Sequence, residues 1–85
     1  MAVAQPSPFS RITSNPRVQG GEPVVRGTRV PVRAIVVAWR EYRDMPTMLA
    51  AYPRLTAEDV TEALAYYEAH RREIDERIRA QLADG

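Results

Sequence analysis

The chain has 85 residues, a net charge of +1, no cysteine and no lysine; that is one domain's length, too short to bury more than roughly 60–65% of its unfolded surface. The missing thiols and amines exclude disulfides, thiolate metal sites, cysteine nucleophiles and Schiff-base chemistry, and no apolar run approaches the roughly 18 residues of a membrane span. All twelve basic residues are arginine, and they are unevenly placed: residues 1–54 hold 8 Arg and 3 acids, net +5, and residues 55–85 hold 4 Arg and 8 acids, net −4.

Residues 1–10 carry Pro6 and Pro8 without periodicity, and are expected to form a flexible tail. They lack the charged and apolar regions of a secretion signal, so a cytoplasmic protein is expected. From residue 11 onward a single domain is expected. Arg11-Ile12-Thr13 can form a short strand before the Asn15-Pro16 turn, and Gly20-Gly21 marks another turn. Over residues 22–32 two β-branched patches flank Arg26-Gly27, which predicts a small hairpin with its turn at Gly27. Pro23 and Pro31 restrict it to edge pairing.

Val32, Ile35, Val36, Trp39 and Tyr42 recur at helical spacing and predict a helix over residues 32–42, with Trp39 as its core anchor. Asp44-Met45-Pro46 reads as an acidic cap followed by a first-turn proline. It opens a short helix over 46–52 that Pro53 ends. Thr56 with Asp59 three residues on has the pattern of a capping box. No Gly or Pro follows until Gly85, so a third helix is expected over 56–82.

On a helical wheel Val60, Leu64, Tyr67, Ile74, Ile78 and Leu82 fall within an arc of roughly 80°, with Arg71 inside it. A straight helix of this length spans roughly 40 Å, against a radius of gyration of about 12 Å for a domain this size. The expectation is therefore an overhanging end, with Arg71, Ile74, Ile78 and Leu82 forming a partner-binding surface. The competing reading is a break near Tyr67 to Arg72 that folds the end back onto the hairpin.

Two strings are distinctive: Gly20-Gly21-Glu22-Pro23-Val24-Val25-Arg26-Gly27-Thr28-Arg29-Val30-Pro31-Val32, and Tyr52-Pro53-Arg54-Leu55-Thr56-Ala57-Glu58-Asp59-Val60 followed by Ala63-Leu64-Ala65-Tyr66-Tyr67. Together they resemble the short bacterial family called domain of unknown function 433, over about residues 11–78. That resemblance implies a mostly helical fold, a small N-terminal hairpin followed by three helices. It also implies a helix-turn-helix of the homeodomain-like or winged class, and a homodimer. The function implied is that of a VapB-type antitoxin neutralising a PIN-like ribonuclease toxin, with possible repression of its own operon. Members often carry a glycine between the first two helices, where this chain has Tyr42-Arg43-Asp44.

The chemistry of the residues bears on DNA separately. The start of the third helix presents Glu58, Asp59 and Glu62, which repel phosphates and equally well complement a helix N-terminus. The Arg-rich front half is the better DNA surface: Arg26, Arg29, Arg33, Arg40 and Arg43 form the candidate set, by guanine and phosphate contacts. The alternative is that Arg26 and Arg29 are hairpin residues paired with acids such as Glu22 or Glu41. Enzymatic activity is not expected. His70 is the sole histidine, no glycine-rich phosphate loop is present, and no spacing suits a metal, so no cofactor is predicted.

Overall fold

The computed structural model describes residues 9–17 and 19–84; of the expected flexible tail, residues 1–8 lie outside them. The element order is β1 (Ile12–Thr13), a 3-10 turn (Gln19–Gly21), β2 (Val24–Val25), α1 (Val32–Tyr42), α2 (Met45–Ala51), α3 (Ala57–Ala69) and α4 (Arg71–Asp84). The fold is mostly helical, with a small two-stranded antiparallel sheet at its N-terminal end, and the described residues form four helices where three were expected.

The sheet pairs Ile12 with Val25 and Thr13 with Val24. The expected hairpin over 22–32 is present only as a closed loop: the Val25 N–H donates to the Val30 carbonyl at 3.0 Å and the Val32 N–H to the Pro23 carbonyl at 2.9 Å. Its return arm contributes one isolated bridge, Val24 with Pro31, because Pro31 has no N–H with which to extend a ladder. The second strand is instead Ile12–Thr13. The turn is held by Thr28, whose N–H and Oγ–H both donate to the Val25 carbonyl, and it requires the positive φ of Gly27, 79°.

Helix α1 ends at Arg43, which takes a left-handed conformation (φ 52°, ψ 30°) and donates its N–H to the Trp39 carbonyl. Asp44 then caps α2 by accepting from the Thr47 N–H and hydroxyl, and these bonds hold its carboxyl below the usual range. At the start of α3, Thr56 and Asp59 form a reciprocal capping box.

The third expected helix, over residues 56–82, is two helices, and the overhanging end does not exist. The break falls at His70 (φ −131°, ψ 36°), whose N–H is shared between the Tyr66 and Tyr67 carbonyls. Past this corner α4 returns along α1, leaving Ile74 0% and Ile78 6% exposed. Burying two isoleucines contributes about 3–6 kcal/mol. One irregular residue forfeits a hydrogen bond or two at about 1 kcal/mol each. Burial therefore wins, and the helix bends with neither glycine nor proline at the corner.

One core cluster joins every layer: Ile12 and Val25 from the sheet, Ile35 and Val36 from α1, Met48 from α2, Leu55, Val60 and Tyr67 around α3, and Ile74 and Ile78 from α4. Trp39, the expected anchor, is only partly buried at its edge; Ile35, Met48 and Ile74 are the largest fully buried side chains. Among the described residues no helix is long and apolar enough to cross a membrane.

Candidate partner and nucleic-acid surfaces

The break at His70 redistributes the residues expected to bind a partner. Ile74 and Ile78 belong to the core of their own chain, and only Leu82 is left outside, 72% exposed. Arg71, placed inside the apolar arc on a straight wheel, is swung out by the corner. It bonds Glu68 of its own chain, with Nη2 to Oε1 at 2.7 Å and Nη2 to Oε2 at 3.0 Å. That carboxylate raises the guanidinium pKa further above its usual value. A buried arginine seeking a carboxylate across an interface is therefore not what this residue is.

The arginines expected to contact DNA divide in two. Arg33 and Arg40 are tied to groups of their own chain, although Arg40 stays at the surface. Arg33 pairs with Glu22 and bonds Gln81 of α4. Glu22 is 5% exposed, and its Oε2 meets Arg33 as an ion pair without an aligned hydrogen bond. Arg40 donates to the Tyr67 hydroxyl at 3.0 Å, which donates in turn to Asp75 Oδ1 at 2.8 Å. Arg40 itself lies 3.6 Å from Asp75. The Tyr67 ring is also faced by the Arg40 and Arg71 guanidinium carbons, 5.7 and 5.2 Å from its centroid. Arg40, Tyr67 and Asp75 thus tie α1, α3 and α4 together, a network that residue spacing does not reveal because its members are 27 and 8 positions apart.

Arg26, Arg29 and Arg43 remain at the surface. Arg29 shares a depression of about 530 Å³ with Gly27, Thr28, Val30 and Arg54. Arg54, in the connection between α2 and α3, was not among the expected site residues. Its signal was an arginine two residues before a helix cap, inside a distinctive string.

The acids at the start of α3 are partly accounted for. Asp59 is turned inward as the capping acid and pairs with Arg11 at 3.1 Å, and Glu62 accepts the Arg11 N–H. At the far end of α3, Phe9, Tyr66 and His70 form an aromatic corner. Tyr66 stacks on His70 at 4.0 Å and meets Phe9 edge-on at 5.3 Å. Burial there raises the Tyr66 pKa.

A different surface is left on α1. Its inner face supplies Val32, Ile35 and Val36 to the core, while its outer face sets Ala34, Val37 and Ala38 among Arg33, Arg40 and Glu41. Ala34, Val37 and Ala38 line a groove of about 350 Å³ together with Arg33, Glu41, Tyr42, Tyr52 and Gln81. Val37 is 37% and Tyr42 41% exposed. Among the described residues no group of three or more His, Asp or Glu is placed to hold a metal ion.

Comparison with known proteins gives one family and two relatives. Residues 12–67 match the family described as "Protein of unknown function (DUF433)". The uncharacterized protein y4eO of Sinorhizobium fredii (strain NBRC 101917 / NGR234) is 39% identical over 74 residues, which make up 87% of this chain and 34% of that protein. The chain therefore spans about a third of the length of this curated relative. The crystal structure of a DUF433 member from Anabaena variabilis ATCC 29413, at 2.00 Å resolution, superposes with a TM-score of 0.76 at 39% identity, over 81% of this chain and 68% of that one.

Proposed function

The chain belongs to the DUF433 family, and on that premise we propose that it is a non-catalytic binding module of the antitoxin type, whose outer α1 face docks a toxin-like partner protein. The observation that carries this reading is the apolar stripe that α1 leaves on its outer face between Arg33 and Glu41. The core-facing stripe of an amphipathic helix is normally its main apolar one, and this helix also keeps Val37 and Tyr42 in water beside Ala34 and Ala38. Small residues at 34 and 38 allow close approach of a partner helix, while Tyr42 and Tyr52 supply aromatic contact area of the kind enriched at interfaces. Glu41 meets no partner among the described residues and gives the groove a free carboxylate to satisfy. Leu82 follows directly on Gln81 of the same wall.

In this reading α2 and α3, joined by residues 52–56, stand in the relation of a helix-turn-helix and serve as scaffold. Helix α3 carries four acids and no arginine, which disfavours it as a reader of bases. The neighbouring gene's product is the partner to try, and a PIN-like ribonuclease is the kind proposed. A stoichiometric complex is expected on size-exclusion chromatography with light scattering, abolished by Val37→Asp and retained by Arg79→Ala. A second copy is the competing occupant. A homodimer that Val37→Asp dissociates, with no complex with that product, would replace the toxin reading by a self-association module.

A further inference from the structure

Three segments far apart in sequence meet at the foot of α1. Glu22 leaves the 3-10 turn behind two glycines of positive φ, Gly20 at 65° and Gly21 at 86°. The carbonyl of Pro23, the next residue, accepts the Val32 N–H at 2.9 Å. That bond holds Glu22 close to Arg33, the second residue of α1, with which it pairs. From the other side α4 brings Arg77, Ala80 and Gln81. Arg77 and Gln81 are four positions apart and so share a helix face. Together these five residues wall a hollow of about 360 Å³.

Two polar atoms in these walls have incomplete hydrogen bonding. Glu22 is 5% exposed, and its Oε2, though ion-paired with Arg33, has no aligned hydrogen bond. Arg77 Nε is buried and has no acceptor among the described residues. The Glu73 carboxylate of its ion pair stands 3.7 Å away, beyond hydrogen-bond length. Buried groups of this kind are costly to leave unmet. One atom lacks a donor and the other an acceptor, and both residues line the same hollow. A water molecule takes up about 30 Å³, so the hollow has room for more than a bridging water. Four of its five walls are charged or polar and only Ala80 is apolar, so the guest that fits is small and hydrophilic.

We propose that this hollow binds a free α-amino acid, with the ligand's carboxylate on Arg77 and its ammonium group on Glu22. The charges of the walls select this class. Two guanidinium groups against one carboxylate attract an anionic group, and a guanidinium fork matches a carboxylate. A phosphate dianion is drawn to Arg77 as well, but it faces the Glu22 carboxylate, and like charges repel. A ligand with an ammonium group beside its carboxylate turns that repulsion into attraction and supplies the donor that Glu22 Oε2 lacks. A simple carboxylic acid leaves Glu22 unmet, and a simple amine leaves Arg77 unmet. This goes beyond the partner-binding reading. The Arg33–Gln81 contact is a wall shared with the α1 groove, but α1 contributes only Arg33 to this hollow, and neither reading requires the other.

The test is isothermal titration calorimetry on the full-length chain. The twenty standard amino acids are the probes, taken singly, and acetate, methylammonium and inorganic phosphate are the comparison probes. At least one amino acid is expected to bind saturably, with a dissociation constant below about 1 mM, and about tenfold or more tighter than each comparison probe. Arg77→Met keeps the aliphatic stem and removes the guanidinium group. It is expected to weaken that amino acid about tenfold or more with little change in melting temperature, because the Arg77–Glu73 pair is partly exposed. Glu22→Gln is expected to lose the preference for the amino acid over the same compound without its amino group; if it fails to fold, Arg77→Met decides alone. Arg79→Ala, at an exposed position of α4, should change nothing, and Val37→Asp should leave amino-acid binding intact, so that this proposal and the partner-binding reading fail separately. No saturable binding of any amino acid, equal binding of a comparison probe, or binding unaffected by Arg77→Met would overturn the proposal.

Discussion

Arg43 is the one non-glycine residue with positive φ among the described residues. A left-handed conformation costs an L-residue about 1–2 kcal/mol relative to the right-handed helix, and at this site, just past the last turn of a helix, glycine is the usual choice. Resemblance to the family pointed to a glycine between the first two helices, and the backbone here keeps the geometry of that glycine while carrying an arginine. Arg43→Gly is therefore expected to stabilise the protein, by about 0.5–1 kcal/mol, measured as an upward shift in a urea midpoint with unchanged slope. A loss of stability would mean that the Arg43 side chain makes a contact worth more than the backbone cost. The same scale shows what sequence can convey. Thr56 and Asp59 are legible because both partners of a capping box lie three residues apart. Tyr67 is not, because its hydroxyl is held by Arg40 and Asp75 from two other helices.

Helix α4 decides how the molecule is read, and a pair of truncations at side-chain level tests its placement. If α4 lies along α1, Ile74→Ala leaves a cavity in a filled core and costs about 2–5 kcal/mol, while Leu82→Ala, at an exposed position, changes stability by no more than about 0.5 kcal/mol. An overhanging helix would make the two substitutions equally mild in the isolated protein. Both are measured by chemical denaturation. Periodicity identified which residues of the last 29 are apolar and which face they share, but it carries no information on whether the axis is straight. The signals that mark helix ends are local, and the corner at His70 uses none of them. It is set by the gain from covering Ile74 and Ile78, which only the packed partner α1 reveals. The sheet shows the converse: β-branched runs located the extended segments, and the proline that prevents pairing between them was visible, but the strand that takes its place had to come from Ile12–Thr13.

For the molecule as a whole, the core is closed by contributions from both ends of the described chain, Ile12 at one and Ile78 at the other. The radius of gyration is 13.1 Å, with extents of 44 × 30 × 22 Å, an elongated body with little interior to spare. Removing residues 71–85 strips the core of Ile74 and Ile78, breaks the Arg40–Tyr67–Asp75 network and leaves Glu22 without the wall formed by Gln81 against Arg33. Such a truncated chain is expected to lose cooperative unfolding and the dispersed amide spectrum of the full-length protein. A truncated form that melts cooperatively would show that α4 is dispensable to the fold. The charge asymmetry was fully legible in the sequence, whereas its pairing was not: Arg11 and Arg40 of the front half meet Asp59 and Asp75 of the back half, and Arg71, Arg72 and Arg77 meet acids three or four positions away.

One guanidinium group stands between interior and exterior. Arg33 keeps the buried Glu22 neutralised on one side and forms a wall of the α1 groove on the other. A ligand arriving in that groove finds a cation whose orientation is already imposed from below, so little rotational freedom is surrendered on contact. An intruder that drew Arg33 away would strand a carboxylate in the dark of the protein. The rim is therefore stiff toward a fitting guest and unforgiving toward one that must pull it out of place.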